Sequence, residues 1–420
     1  MTTPPTEPMT RLRDALRAMM DAPLRLRGRR GALGSADLDR LSRHIILPTV
    51  AVTDEEIARA AFQDRGTKLA RQEMWDDLAR LIAETDAARA GTPGGESASL
   101  LLAFGARSDV VAMTEDALHD GAIPDLDGID AMEALVDEFA GDYPVAAVVA
   151  LAHIDMAWAW RAIPGASGLD GAAIRAAHHA ARAEALLAPH VDAAGDAPSV
   201  AAARCALLRA QPGHGAQHVA DRYQHLIDID PASPRHMRGL GAAVLAAMPG
   251  DYRALELEAR RTAARTGDIW GAGAYAWVYL DALALDPGAL CLLDPAFFID
   301  GLRDILARRR DQHTANLLAA FCAITMRPDT ARRAPVIPAR DALHACLPWL
   351  LRDHLQELHP LIWTQALHRP GAGPLPPRRA LLSEGRRTAL RAIAAQFADD
   401  IAQGQSIAFS PAGMYMLPSL

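Results

Sequence analysis

The sequence predicts an all-α protein, and three observations lead to that prediction. Half of the 420 residues are apolar but only 5% are aromatic, and the apolar share is dominated by alanine and leucine, which have high helix propensity. Glycine or proline interrupts the pattern about every 15 to 20 residues after residue 169, as is typical of helices that end at breakers. Alternation of apolar and polar residues is not sustained anywhere, so no strand is predicted.

Composition and motif content exclude several functional classes. The formal net charge of −8 argues against a nucleic-acid surface spread over the whole chain. Lys68 is the only lysine, a skew towards arginine that indicates a bacterial-type codon bias, and no P-loop glycines precede it. The four cysteines lack Cys-x-x-Cys spacing, and the short motifs of hydrolases and zinc proteases do not occur. We therefore expect no cofactor.

The chain is predicted to be cytoplasmic. No uninterrupted apolar stretch reaches the length needed to cross a bilayer. The first eight residues are rich in proline and lack the charged-then-apolar layout of a signal peptide.

Residues 1–48 are predicted to form a proline-rich start, a basic arm and a short helix. Seven arginines lie between Arg11 and Arg30, against only two aspartates. A solvated arm, or one that contacts an anionic partner, explains this charge. An anionic membrane or nucleic acid is the alternative, which the lack of interleaved aromatics and the acidic body disfavour.

Residues 49–330 are predicted to form successive helical hairpins. Thr53 and Glu56 have the spacing of a capping box, which starts a helix that ends near Gly66. The nearly all-apolar helix over 144–161 should be buried on most faces. The other helices are expected at about 67–89, 97–106, 109–119, 129–140, 169–188, 198–210, 216–229, 234–248, 251–266, 272–285, 295–309 and 312–326.

Residues 331–420 are predicted to add C-terminal helices after a proline-marked joint. We expect helices over 339–367 and 378–403, separated by the stiff Pro/Gly linker 370–377. The apolar tail from Phe409 to Leu420 is predicted to be irregular. It either packs back on the body or serves as an exposed docking peptide.

Two nonapeptides, Tyr223–Pro231 and Tyr279–Pro287, share a spacing. Each has a tyrosine, then a small or aliphatic residue three positions later, and closes with Asp-Pro. This is the pattern of an amphipathic helix that ends at a proline. The copies lie 56 residues apart and fall on opposite members of helix pairs, so they indicate a shared helix-ending device more than a regular repeat.

The segment Tyr223–Val244 resembles a joint between two tetratricopeptide repeats. The tyrosine, Leu226 and the closing Pro231 match the end of a second helix in that family. Met237, Leu240 and Gly241 match the start of the next first helix, where glycine lets two helices touch backbone to backbone. The resemblance implies an irregular tetratricopeptide-like α-α superhelix. It also implies a scaffold or adaptor that binds a partner peptide or helix in a groove.

The aromatic stretch 268–279 is the predicted partner-binding surface. Trp270, Tyr275 and Trp277 are expected to line a concave groove, and Arg235 and Arg238 of the adjoining helix are expected to contact carboxylates. The alternative is that these rings pack at a tight helix–helix turn.

A second hypothesis is an all-helical enzyme or small-molecule binder. His153, Asp155, His178 and His179 lie on two successive helices and would form its pocket if they converged. The alternative for His153 is a core histidine bonded to a carbonyl or carboxylate group.

A stripe of polar side chains lies along one face of the helix over 216–229. Imidazoles one turn apart beside a carboxylate have metal-ligand spacing. The opposite face is apolar, so we expect the stripe to face solvent and to hold no metal. Its members are His214, His218, Asp221 and His225.

Overall fold

The structure is a computed structural model that describes residues 35–191, 196–211, 213–328, 337–368 and 375–418. The predictions for the basic arm Arg11–Arg30 and for residues 370–374 of the linker lie outside these ranges. Within them the all-α prediction is confirmed, because helices form nearly all of the regular structure and one small sheet is the exception.

Twenty α-helices occur in the described ranges. They are α1 (Ser35–Leu41), α2 (Asp54–Arg71), α3 (Trp75–Ala87), α4 (Ala98–His119), α5 (Asp127–Glu138), α6 (Tyr143–Ala162), α7 (Ala172–Leu187), α8 (Pro198–Ala210), α9 (Ala216–Ile229), α10 (Pro234–Ala247), α11 (Tyr252–Arg265), α12 (Gly267–Trp270), α13 (Gly273–Leu285), α14 (Pro295–Arg308), α15 (Gln312–Ala320), α16 (Ile337–His344), α17 (Leu347–Asp353), α18 (Pro360–Leu367), α19 (Arg378–Gln396) and α20 (Ala398–Ala402).

Helix α2 does not end at Gly66, so that prediction is wrong. Its capping box is present, with Thr53 accepting from the Glu56 amide at 3.2 Å, but the helix continues to Arg71. A Cβ on Gly66 would lie 2.1 Å from the carbonyl oxygen of Leu102, and one on Gly105 would lie 1.9 Å from that of Gln63. The glycines therefore allow α2 and α4 to cross closely, and α4 runs unbroken through the gap predicted between 106 and 109.

The tail is not irregular, which corrects a second prediction. Strands β2 (Gln405–Ser410) and β3 (Gly413–Pro418) form an antiparallel hairpin, and β2 also pairs in parallel with β1 (Ile45–Ile46). Ile407 and Phe409 point into the core at 0% and 3% exposure. The pairing of β2 with β1 joins residues some 360 positions apart, so local alternation could not reveal it, whereas the β2–β3 hairpin is local and the prediction missed it.

Successive helix pairs recur along the middle of the chain. Helices α8, α10, α13 and α15 begin at residues 198, 234, 273 and 312, which are 36, 39 and 39 residues apart. A Cβ on Gly241 in α10 would lie 1.8 Å from the Val278 carbonyl oxygen in α13. The expected backbone contact therefore exists, but it joins α10 to the first helix of the next pair and not to its own hairpin partner α11.

The two Asp-Pro turns use their aspartates to fix the chain after the helix. Asp230 Oδ2 lies 2.9 Å from His236 Nε2. Asp286 accepts from the Gly288 amide at 2.8 Å and from the Tyr252 hydroxyl at 2.7 Å. This supports the interpretation of the nonapeptides as a helix-ending device.

The beginning and the end of the described chain clasp each other. Leu358 donates its amide to the Pro48 carbonyl at 2.8 Å and accepts from the Val50 amide at 2.9 Å. Asp39 of α1 accepts two hydrogen bonds from Arg391 of α19, at 2.6 and 2.7 Å. Helices α2 and α19 are thereby held around a common cavity.

Helix α6 is the one described helix long and apolar enough to cross a membrane by length and composition. In the structure 78% of its apolar window is buried against other parts of the protein. It therefore packs as a core helix, as its nearly all-apolar sequence predicts.

Candidate functional site

A cavity of about 230 Å³ lies where the early and late segments of the described chain meet, and we call it the clasp cavity. Its walls come from the segment before α2, from α2 itself, and from α10, α15, α18 and α19. The polar lining residues are Thr53, Glu55, Glu56, Arg59, Glu96, Arg235, Arg238, His313, His359, Gln365 and Arg378.

Glu96 joins two arginines on one side of the clasp cavity. Its carboxylate pairs with Arg235 Nη2, and its Oε2 lies 2.9 Å from Arg59 Nε. Glu55 also lines the cavity, and it accepts from the Thr92 hydroxyl at 2.8 Å and from the Gly94 amide. Glu55 thus holds the loop before α4 against α2, and Glu96 joins the same loop to arginines of α2 and α10.

The other two arginines also have carboxylate partners. Arg238 forms a two-bond pair with Asp281 of α13, at 2.8 and 3.0 Å. Arg378 lies 2.6 Å from Glu56 and donates to the Ala51 carbonyl at 2.8 Å. Burial raises the pKa of Glu56, but the hydrogen bonds from Arg378 and from the Thr53 amide outweigh burial and hold that pKa below its usual value.

Arg235 keeps unused donor capacity. Its Nε atom is buried and has no hydrogen-bond partner among the described residues, and the same holds for Arg59 Nε, whose N–H does not point at Glu96. Arg235 lines the clasp cavity, and 39% of its side-chain surface is accessible. Burial and the neighbouring charge of Arg238 lower the pKa of Arg235.

Two histidines complete the polar lining. Burial, with the charges of Arg235 and Arg238, lowers the pKa of His313 to about 4, so its ring is neutral at pH 7. His359 is 5% exposed, and its Nε2 lies 2.9 Å from Glu357. Its Nδ1 is buried without a partner among the described residues.

Sequence reasoning found Arg235 and Arg238 but missed the rest of the clasp cavity. Arg59 and Arg378 lie more than 300 residues apart and meet through the pairing of the chain ends. No spacing in the sequence signals such a meeting. The one local signal is the Thr53–Glu56 capping box, which fixes the start of α2 beside the cavity.

The predicted aromatic groove is wrong. Trp270, Tyr275 and Trp277 are 3%, 0% and 1% exposed. The two tryptophan rings pack edge to face with centroids 5.9 Å apart, and the Tyr275 hydroxyl donates to Glu256 at 2.7 Å. These rings fill the core between helix pairs, because α13 is buried on nearly every side.

The predicted His/Asp pocket forms only in part. His153 and His179 meet, with their Nδ1 atoms 2.9 Å apart, and His153 Nε2 lies 2.8 Å from Glu133. Asp155 pairs instead with Arg107 at 2.7 Å, and His178 lies on the exposed face of α7. The four residues therefore do not converge on one site.

The histidine pair borders a very small cavity. Arg182 donates to Glu133 at 2.8 Å and stabilises its negative charge, so Glu133 accepts from His153 Nε2–H. His153 Nδ1 then accepts from His179 Nδ1–H. The cavity beside His179 measures about 20 Å³, room for roughly one water molecule. This arrangement fits a buried histidine bonded to a carboxylate better than a substrate pocket.

We expect the histidine pair to make stability depend on pH. Burial, with the nearby His153, lowers the pKa of His179 to about 4, against an ordinary value of 6.5. Between these values the unfolded chain binds more protons than the folded chain, so stability falls as pH falls. From pH 7.5 to pH 5 the loss due to this group is about 2 kcal/mol.

Denaturant unfolding of the wild type and of His179→Gln at both pH values checks this expectation. The variant should lose about 2 kcal/mol less than the wild type on acidification, whereas His178→Gln, at the exposed neighbouring position, should lose as much as the wild type. An identical pH dependence in the wild type and His179→Gln would contradict it.

Three of the four members of the predicted polar stripe face solvent, as expected, whereas His214 lies before α9 and its Nε2 atom is buried. His218, Asp221 and His225 are exposed, the rings of His214 and His218 stack with centroids 5.1 Å apart, and Asp221 accepts from Gln217 at 2.7 Å. In the part of the chain that the structure describes, no three His, Cys, Asp or Glu side chains are grouped to hold a metal ion.

The chain was compared with known proteins at three levels. No protein-family model, no curated protein and no solved structure matches it. Its function must therefore be inferred from the geometry of its own residues.

Proposed function

We propose that this chain is a binding protein, an irregular tetratricopeptide-like superhelix that receives a carboxylate of a partner polypeptide in the clasp cavity. The observation that supports the proposal most is Arg235, whose buried Nε–H has no partner. A buried donor without an acceptor is costly in free energy, so such a group favours a ligand that supplies the acceptor.

The free hydrogen-bonding capacity of the cavity favours an anion over a cation. Glu55, Glu56 and Glu96 each already accept from arginine, hydroxyl or amide groups. The carboxylates are therefore engaged, whereas guanidinium N–H donors are left over, and a planar guanidinium can match a carboxylate with two parallel hydrogen bonds. The low pKa of His313 is caused in part by the positive charges of Arg235 and Arg238, which would also attract an anion.

The size of the cavity limits what can enter. An α-helix with its side chains is roughly 10–12 Å across, and pockets for drug-sized ligands measure roughly 300–1,000 Å³. The clasp cavity, at about 230 Å³, lies below the volume range for drug-sized ligands, and it is too small to enclose a helix of that width. We therefore propose a site for one or two residues of a partner, in place of the predicted groove for a whole peptide or helix.

Immobilised peptides, each made with a free carboxyl terminus and again with a carboxamide terminus, test this function. We expect the wild type to bind a subset of the free acids and not the matching amides. Arg235→Gln should weaken binding about 10- to 100-fold, since a hydrogen bond to a charged group contributes about 1.5–3 kcal/mol.

Arg303→Gln is the matched control, because Arg303 forms an exposed 2.8 Å pair with Asp300 outside the cavity. It should bind like the wild type, and the melting temperature of each variant shows whether it is folded. Equal binding of acids and amides by the wild type would contradict the proposal. So would undiminished binding by folded Arg235→Gln.

A further inference from the structure

The clasp cavity has two walls, one with arginine side chains and one with aliphatic side chains. We call them the arginine wall and the apolar wall. Arg59, Arg235 and Arg238 come from α2 and α10, whereas α15, α18 and α19 contribute aliphatic side chains beside the polar His313, Gln365 and Arg378. Those aliphatic residues are Leu317, Leu361, Ile362 and Leu382. A ligand that satisfies both walls must carry its charge at one end and an apolar group beside it.

We propose, on the basis of the proposed function, that the ligand is an apolar residue with a free carboxylate and an acylated nitrogen, as at the carboxyl terminus of a chain. Its carboxylate would bind Arg235, and its side chain would pack against Leu317, Ile362 and Leu382. The apolar side chain would gain by leaving water for a wall that is itself half-buried to buried. Charge and apolar surface together fit the two walls, and one residue fits the volume of about 230 Å³.

The engaged glutamates distinguish an acylated residue from a free amino acid. A free amino acid carries an ammonium group next to its carboxylate, and that group requires a nearby acceptor with spare capacity. Glu96 already pairs with Arg59 and Arg235, and Glu56 pairs with Arg378. An ammonium group would therefore lie among guanidinium charges without an unpaired carboxylate beside it, so an amide-linked nitrogen is favoured.

Two sources share this chemistry, the carboxyl terminus of a polypeptide and a small N-acyl amino acid. Titration calorimetry of the full chain with five probes separates them. The probes are N-acetyl-leucine, N-acetyl-glycine, N-acetyl-leucinamide, free leucine and an acetylated hexapeptide that ends in leucine.

We expect N-acetyl-leucine to bind at least about tenfold more tightly than N-acetyl-glycine, because burial of the side chain adds to the carboxylate contact. Free leucine and the leucinamide should bind at least tenfold more weakly than N-acetyl-leucine. A hexapeptide that binds more tightly than N-acetyl-leucine supports the inference and assigns a polypeptide source. Equal affinities support it and assign the small acid.

Leu382→Ala tests the apolar wall, and Leu375→Ala, at a leucine with 67% exposure outside the cavity, is its matched control. The first should bring the affinities for the leucine and glycine probes close together, and the second should leave their ratio unchanged. Equal affinity of the wild type for both N-acetyl probes overturns this inference but leaves carboxylate binding intact. If no free acid binds more tightly than its amide, both the inference and the proposed function fail.

Discussion

Replacing Asn316 by alanine is expected to lower the free energy of unfolding by about 3–6 kcal/mol. Asn316 is the only asparagine in the sequence, and it is 0% exposed. Its Oδ1 accepts from the His359 amide at 3.0 Å and from Trp363 Nε1 at 2.9 Å, and its Nδ2 donates to the Glu357 carbonyl at 2.9 Å. Removal leaves up to three buried polar groups without a partner, each at a cost of about 1–3 kcal/mol.

Chemical denaturation measures this loss, and Gln217→Ala is the matched control. Gln217 is also an amide on a helix, but it is exposed and bonds to the exposed Asp221, so its loss should change stability by less than about 0.5 kcal/mol. Asn316→Asp keeps the shape and both acceptor bonds but cannot donate to Glu357, so it should also destabilise. A cost below 1 kcal/mol for Asn316→Ala would show that the segment around His359 is held by other contacts.

The second large effect is expected at the contact between successive helix pairs. Gly241→Ala should destabilise the protein by about 3 kcal/mol, because the new Cβ would lie 1.8 Å from the Val278 carbonyl oxygen and would force α10 away from α13. Both helices pack through the buried residues Leu240 and Tyr279, so a separation would loosen the core on each side.

Thermal unfolding of Gly241→Ala and Gly267→Ala separates this clash from the general effect of a glycine-to-alanine change. Gly267 begins α12, and a Cβ there would meet nothing within 4 Å. Gly267→Ala should therefore be neutral or slightly stabilising. Equal melting temperatures for the two variants would contradict the close contact of α10 with α13.

Much of the helical fold is predictable because its causes are local. The Thr53–Glu56 capping box and the Asp-Pro stops at Pro231 and Pro287 act within a few residues, and the structure has helix ends at each. The prediction that α2 ends near Gly66 is wrong because glycine has two structural roles that the sequence does not distinguish. It ends helices at positive φ, and it also lets two helices cross closely, which is its use here.

The candidate site was predictable only in part, and for a physical reason. Arg235 and Arg238 were chosen as neighbours of an aromatic groove, yet Trp277 of that groove is buried in the core. What brings the two arginines into a site is the clasp of the chain ends, such as the pairing of Val50 with Leu358. Contacts of this kind depend on how many successive helix pairs pack together. The spacing of residues along the sequence therefore does not reveal them.

Arg235 is proposed to hold a carboxylate in the clasp cavity with its spare donor. Nuclear magnetic resonance of the arginine Nε–H groups tests it directly, with the Arg235 signal assigned by its loss in Arg235→Gln. On saturation with the leucine-terminated hexapeptide, we expect a large shift of the Arg235 Nε–H signal and no shift of the Arg303 signal. An Arg235 signal that stays in place while the hexapeptide binds would rule out carboxylate binding by Arg235, and so would a failure of the hexapeptide to bind.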